Sequence, residues 1–480
     1  MFHLRTERHQ PDYILMIVVL MLTGIGIITV FTASTVYDLQ HDTSAAHMAI
    51  RQLAFGLFGL GVFGVITYVP YHTWFRHAPK LLLIATGLLI IVLVPGVGHS
   101  SNGATRWLGA SSIHLQPSAV AIIVAVIYLS FLLTKKMTVL HNSRRAFRPA
   151  IMVVLMLTGL VFIEPDMGTS MALFGTAIVL MFASGLRMRP IIVTLGVLAP
   201  VGYLMIRLAS YRSSRLDAFF HPFDPNVQST SGYQLIQGLT AIANGGLTGR
   251  GFDNSIMATG YLPEAYTDFI FSVFTEQWGW LGDAGLLAIF AVLVWRGFRI
   301  ARYARDRFGA LLAIGLTSTI IIQAAINLAA VTWLLPVTGI PLPFISYGGT
   351  AIVLNLFAMG ILMSVSRETL ETATDVDSLA EIVSVDAFRA DRGEPLPRLG
   401  QQRNQKSKSR PAQVTALSSR RLSPWQSNAG STGRQKASQE PVRRNISLTW
   451  KAQQESAASR QGRSGQRERD GNKGSRKNKR

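Results

Sequence analysis

The 480-residue chain contains no cysteine, and that absence excludes a disulfide framework, a thiolate nucleophile and any Cys-ligated metal site. Charge is scarce as well: Asp, Glu, Lys and Arg make up 15% of the residues against 49% hydrophobic ones, a balance that no water-soluble domain of this length needs. Histidines with ligand spacing are also missing. His114, His141 and His221 stand far apart, so a metal held by protein side chains alone is not expected. Acids are outnumbered, 26 Asp and Glu to 46 Lys and Arg, which leaves a formal charge of +20.

What is present is hydrophobic length. Apolar runs long enough to cross about 30 Å of hydrocarbon as helices, roughly 17 to 25 residues, stand at 12–34, 51–70, 80–97, 117–134, 148–163, 167–186, 190–208, 268–295, 309–336 and 343–366. The expected fold is an all-α polytopic membrane protein of about ten transmembrane helices. The fifth and sixth runs are short and separated only by Glu164-Pro165-Asp166, so a single bent segment is the competing count. Arg5, Arg8 and His9 precede the first run, but it is too long for a signal peptide and has no small-residue cleavage site. It reads as a retained helix.

Orientation follows from the basic residues of the short connections. Arg76 and Lys80, then Lys135, Lys136, Arg144 and Arg145, then Arg187 and Arg189, then Arg296, Arg299, Arg302, Arg305 and Arg307 fall on alternate loops. Those loops and both termini are expected on the cytoplasmic side. A large external loop, 209–267, then lies between helices 7 and 8, and Asp268 lies on the external side.

The positive surplus is local. From Arg398 to Arg480 there are 21 Lys and Arg against 4 Asp and Glu, in a stretch rich in Ser, Gln, Asn and Gly that cannot bury enough apolar surface to fold. The expected organisation is a transmembrane domain over 1–366, an acidic cytoplasmic linker over 367–397 and a basic, disordered cytoplasmic tail over 398–480. Solvation and attraction to anionic membrane lipid are the expected role of such a tail, weighed above RNA binding or a specific partner site.

Two stretches carry the candidate chemistry. Gly260-Tyr-Leu-Pro-Glu-Ala-Tyr-Thr-Asp268 places a carboxylate where a polar loop meets an apolar helix, and an ionisable group at a membrane boundary is a functional candidate. The same position suits an N-cap formed by Thr267 or Asp268, so both readings stand. In the loop, Arg212, Arg215 and Arg250 offer forked donors to phosphate oxygens or pair with Asp217, Asp224 and Asp253. The run Asn244-Gly-Gly-Leu-Thr-Gly-Arg-Gly251 allows close backbone approach to a ligand. In Pro336–Gly349, repeated Pro and Gly break the helix pattern, which is tolerated at membrane depth where backbone packs in protein or lines a cavity.

Several motifs in order resemble the SEDS family of bacterial cell-wall polymerases (shape, elongation, division, sporulation). They are Asn102-Gly-Ala-Thr-Arg-Trp107, Gln116-Pro-Ser118, Glu164-Pro-Asp-Met-Gly-Thr169, Gly232-Tyr-Gln234, Leu262-Pro-Glu264, Asp268-Phe269 and Pro341-Leu-Pro-Phe-Ile-Ser-Tyr-Gly-Gly349. Gly249-Arg-Gly251 and Gly260–Glu264 are similar to the division branch, FtsW, more than to the elongation branch, RodA. The resemblance implies a peptidoglycan glycosyltransferase in the bacterial cell membrane that polymerises lipid II on the external face, for septal wall synthesis. It implies Asp268 as the catalytic residue, a base or a positioner of the attacking hydroxyl. Arg212, Arg215, Arg106 and Arg250 would contact the pyrophosphate, and Glu276 and Ser346 would shape the cavity.

No cofactor is required by this reading, although a divalent cation, Mg or Mn, bridging a carboxylate and the substrate pyrophosphate stays open. The implied partners are a monofunctional class B penicillin-binding protein transpeptidase and other divisome proteins. Two departures stand out: Ala119 and Ile122 occupy positions where the family has Glu and Lys, and Gln277 replaces the second Glu of a pair. Two further classes of function are weighed beside the polymerase, a lipid II flippase and a non-catalytic scaffold that activates the transpeptidase.

Overall fold

Three of the spans start at an aspartate, and each aspartate accepts a backbone amide of the first turn: Asp12 from Leu15, Asp166 from Thr169 and Asp306 from Gly309. Such capping satisfies donors that a helix end leaves without partners. A computed structural model of the protein describes residues 10–101, 104–109, 114–136, 143–224 and 231–369. The expected basic tail, nearly all of the acidic linker, Asn102 and Gly103, and His141 lie outside them.

The chain runs through α1 (Tyr13–Gln40), α2 (His47–Tyr68), α3 (His72–Val92), a small antiparallel ribbon of β1 (His99–Ser101) and β2 (Ala104–Trp107), then α4 (Pro117–Lys135), α5 (Ser143–Ile163), α6 (Met167–Ala183) and α7 (Met188–Leu208). It continues through α8 (Ser210–Phe220), α9 (Ser231–Gly245), α10 (Ile270–Arg302), α11 (Arg307–Val331) and α12 (Gly349–Ser366). Among the described residues eight helices are long and apolar enough to cross a membrane, and α5 and α6 supply two shorter apolar ones. This is a multi-pass membrane protein, with the ten expected segments. α5 and α6 are separate helices packed on each other, so the single bent segment is not formed.

Burial sorts the helices. α4, α11 and α12 bury most of their residues, whereas α2, α3 and α7 expose large side chains such as Leu57, Phe58, Leu83 and Val193. Large apolar faces turned outward are what contact with lipid requires. Small residues permit close crossings: a side chain at Gly59 would press on Val353, and one at Gly297 would meet Thr317.

The third span starts at His72, not at residue 80, so Arg76 and Lys80 belong to α3 and not to its preceding connection. The first turns of α3 are amphipathic. Phe75 and Trp74 pack edge-on against Phe131, Phe308 and Phe357 while Arg76, His77 and Lys80 stay exposed, and a count of continuous apolar residues misses such an end. The expected long loop 209–267 is also largely built, containing α8, α9 and a 3-10 turn at Met257–Thr259.

One charge pair ties the first helix to α10. Arg296 donates from Nε and Nη2 to the Asp12 carboxylate at 2.5–3.1 Å, and both side chains are largely buried. Arg296→Ala is expected to cost about 3–5 kcal/mol, because it strands the capping carboxylate of Asp12. Thermal unfolding followed by size-exclusion yield checks this, and a shift no larger than that of an exposed Arg302→Ala control would refute it.

Candidate active site

The segment between α11 and α12 contains no regular helix, so its backbone groups need partners from elsewhere. Polar side chains on surrounding helices supply them. Asn327 of α11 donates to the carbonyls of Ile340 and Asp268, both at 2.8 Å. Gln52 of α2 donates to Ser346 O and accepts from Gly348 N. Ser346 accepts from Leu342 N and donates to Thr267 O, each at 2.7 Å, and Tyr347 N reaches Tyr266 O at 2.9 Å. Ser346 is thus a stitch between the broken segment and the strand of chain that carries Asp268. Neither Gln52 nor Asn327 is named by the sequence motifs; the available signal is an amide within a predominantly apolar helix.

Asp268 is held by its backbone, and its side chain is left over. α10 starts at Ile270 with Phe269 in the cap position and no side-chain capping bond, so the capping reading of Asp268 does not hold. Thr267 likewise turns back, to Glu264. Among the described residues the Asp268 carboxylate receives no hydrogen bond, and it keeps partial access to solvent. A Cβ placed on Gly339 would lie 3.4 Å from Asp268 Oδ2 and 3.4 Å from Arg215 Nη1, so carboxylate and guanidinium flank one point. Gly339 has φ of +74°, a backbone state that favours glycine, and the missing side chain leaves that point open.

Arg215, on α8, is oriented by a 3.0 Å bond from Nη1 to Val337 O. Burial, reinforced by the negative charge of Glu264, pushes the Asp268 carboxyl up to about 6, against the opposing pull of Arg215 and Arg106. A carboxylate raised toward neutrality and beside a cation is suited to accept a proton while its neighbour steadies an anion.

A second cluster adjoins it at the α5–α6 turn. Arg106 on β2 donates to Pro165 O, and Arg212 on α8 donates to Phe162 O with its guanidinium carbon 4.1 Å from the centre of the Phe162 ring. Asp166 accepts from Gln116 Nε2, Ser118 Oγ and Thr169 N at 2.8–3.0 Å. That fixes the start of α4 and explains the Gln116-Pro-Ser118 and Glu164–Thr169 motifs together. Glu164 is fully buried, with neither carboxyl oxygen hydrogen-bonded, and burial followed by the charge of Asp166 pushes it up to about 9. Ala119 is half-buried and Ile122 is packed in the apolar core, so at 122 no charge is missing a partner.

The remaining expected site residues serve a different structure. Glu276 accepts from Ser255 Oγ, Asn244 Nδ2 and the amides of Ile256 and Met257, so it clamps the loop. Arg250 gives its amide to Glu276 O and leaves its side chain exposed. The glycine run 245–251 approaches the protein's own backbone: side chains at Gly245 and Gly249 would overlap the carbonyls of Thr275 and Gln277. Those glycines complete a break in α10.

Bundled apolar helices, a backbone break stitched by buried amides, and a carboxylate beside a guanidinium define an integral-membrane protein with a polar site at one end of its helices. The chain belongs to the cell cycle protein family of FtsW, RodA and SpoVE, whose match spans residues 13–371. It is 39% identical over 364 residues to stage V sporulation protein E of Bacillus subtilis (75% of this chain, 98% of the relative) and 37% identical to a probable peptidoglycan glycosyltransferase FtsW of Trichlorobacter lovleyi (74% and 93%). Two solved structures share the fold. One is the rod shape determining protein RodA of Thermus thermophilus, at TM-score 0.56 and 24% identity, covering 75% of this chain and 98% of that one. The other is a chain from a peptidoglycan synthase complex, at TM-score 0.62 and 23% identity, covering 75% and 99%.

Proposed function

We propose that this chain is a peptidoglycan glycosyltransferase that polymerises lipid II, with Asp268 as the base. The observation that carries the reading is the Asp268 carboxylate, free of hydrogen bonds among the described residues and facing the same point as Arg215. Glycosyl transfer from a pyrophosphate donor needs a proton taken from the acceptor hydroxyl and positive charge beside the departing phosphate. Asp268 supplies the first and Arg215 the second, with Arg106 and Arg212 extending the positive surface.

An open apolar groove lined by Phe55, Phe58, Leu115, Val353 and Leu354 suits the polyprenyl tail of such a substrate. It adjoins the broken segment, since Phe55 packs against Gly349. A Mg or Mn ion entering with the pyrophosphate would take most of its oxygens from the substrate, with Asp268 the carboxylate in reach. The chain works with both termini in the cytoplasm and its site outside, in division, beside a class B penicillin-binding protein transpeptidase.

Glycan-strand synthesis from lipid II by the purified protein tests the reading, and its pH profile tests the base. The base acts deprotonated, and burial raises Asp268 to about 6, so kcat/KM is full above that value and falls about tenfold per pH unit below it. A profile flat from pH 7 down to about pH 5, where an unperturbed carboxylate would still be ionised, would remove Asp268 from the proton transfer.

A further inference from the structure

We propose that Glu164 is a positioning residue for anion binding: by holding a proton in its buried carboxyl, it leaves the Arg106 guanidinium its full charge for the diphosphate of the substrate. The inference rests on the reading above that this site takes a diphosphate. It stands on the geometry of the α5–α6 turn. Arg212 grips that turn at Phe162 O and Arg106 grips it at Pro165 O, so Glu164 lies between two guanidinium anchors. Its carboxyl is wholly shielded from solvent, and both oxygens are without hydrogen bonds.

Among the described residues, the groups facing Glu164 are few. Arg106 comes from β2 and Asp166 from the same turn. α4 presents only the neutral Gln116 and Ser118, both already donating to Asp166. α6, starting at Met167, carries no charged residue. Arg212, from α8, faces Arg106 and has its Nε buried without a partner. Asp268 interacts electrostatically with Arg106 and Asp166 of this cluster, and also with Glu264 and Arg215.

Among the described residues the neutral donors near this turn, Gln116 Nε2, Ser118 Oγ and Thr169 N, are held by Asp166, which leaves the guanidiniums of Arg106 and Arg212 to receive a second negative charge. An ionised Glu164 is therefore compensated by guanidinium charge, Arg106 first, since that is the cation acting on it. The same cation cannot then serve an incoming diphosphate. Two carboxyls two residues apart are divided in role: Asp166 organises the start of α4, and Glu164 stays neutral so that it does not compete with the diphosphate for Arg106.

The test is binding of inorganic pyrophosphate to the purified full-length chain in lipid nanodiscs, by calorimetry from pH 6 to 10. Glu164→Gln and Glu164→Asp are measured beside the wild type, with the titration of pyrophosphate itself subtracted. The expected result is a break in the wild-type profile above pH 8, with affinity about tenfold lower than that of the Gln variant by pH 10. The break is absent in Gln and kept in Asp.

Wild-type and Gln profiles that run parallel throughout overturn the inference. If the Gln variant does not fold, the wild-type profile decides alone, and its lack of a break overturns it equally. A wild type that polymerises lipid II but shows no break leaves the proposed function standing without this role for Glu164. A clear break in a protein that does not polymerise lipid II keeps Glu164 in the anion site and removes the polymerase reading.

Discussion

Asp268→Asn is expected to lower lipid II polymerisation by about 10²–10⁴-fold, the range a positioned base contributes, with folded yield near that of the wild type. The asymmetry follows from how the residue is held. Its backbone carbonyl accepts from Asn327 and its neighbour Thr267 accepts from Ser346, and an amide side chain disturbs neither bond. The carboxylate itself receives no hydrogen bond among the described residues and caps no helix, so removing its charge leaves no buried donor stranded. The substitution also relieves a carboxyl that burial and Glu264 destabilise in its charged form, which argues against any loss of stability. Product length from lipid II, together with the elution profile of the same preparation, measures both sides. Activity within a few-fold of the wild type in a well-folded Asn variant would sink the role of base.

The spans were legible because apolar length is a local property of sequence, and so was the candidacy of Asp268, an ionisable residue at the head of an apolar helix. The pairing of Asp268 with Arg215 and Gly339 was not. The three positions are separated by more than fifty residues in each direction, and only the packing of α8, α10 and the broken segment brings them to one point. Capping was the natural local reading of Thr267-Asp268, but the tertiary bonds of Ser346 and Asn327 to this stretch hold the chain non-helical up to Phe269. The run Asn244–Gly251 misled for a related reason. Clustered glycines announce that backbone comes close to something, and sequence cannot say whether that is a ligand or another part of the same chain. Glu276 is the same case for charge: a buried carboxylate suits a substrate site or a clamp equally, until Ser255, Asn244 and two amides are found on it.

The substitution expected to damage the fold most is Gly279→Ala, by about 4 kcal/mol or more, a size that only a few mechanisms reach. Gly279 has φ of 63° and ψ of −172°, a region essentially closed to residues with a side chain and costing about 1–3 kcal/mol to impose. Its absent Cβ is also occupied space: a methyl there would overlap Gly249 N and the Leu247 carbonyl. The loop comes so close because it repairs the interrupted helix. Arg250 N and Gly251 N donate to Glu276 O and Gln277 O at 2.9 and 3.0 Å, while Trp280 N and Leu281 N donate to Gly246 O and Leu247 O at 3.0 and 3.1 Å. Pushing the loop away strands the carbonyls of the buried Glu276 and Gln277, at about 1–3 kcal/mol each. Gly285, in the same helix, provides the contrast, since nothing lies within 4 Å of its Cβ position and alanine there removes a helix penalty of about 0.5–1 kcal/mol. Thermal unfolding of both variants should separate them in opposite directions from the wild type. If Gly279→Ala matched Gly285→Ala, the break in α10 would not be fixed by this residue. The hold of Glu276 on Ser255, Ile256 and Met257, and through them on the chain leading to Asp268, would then need another origin.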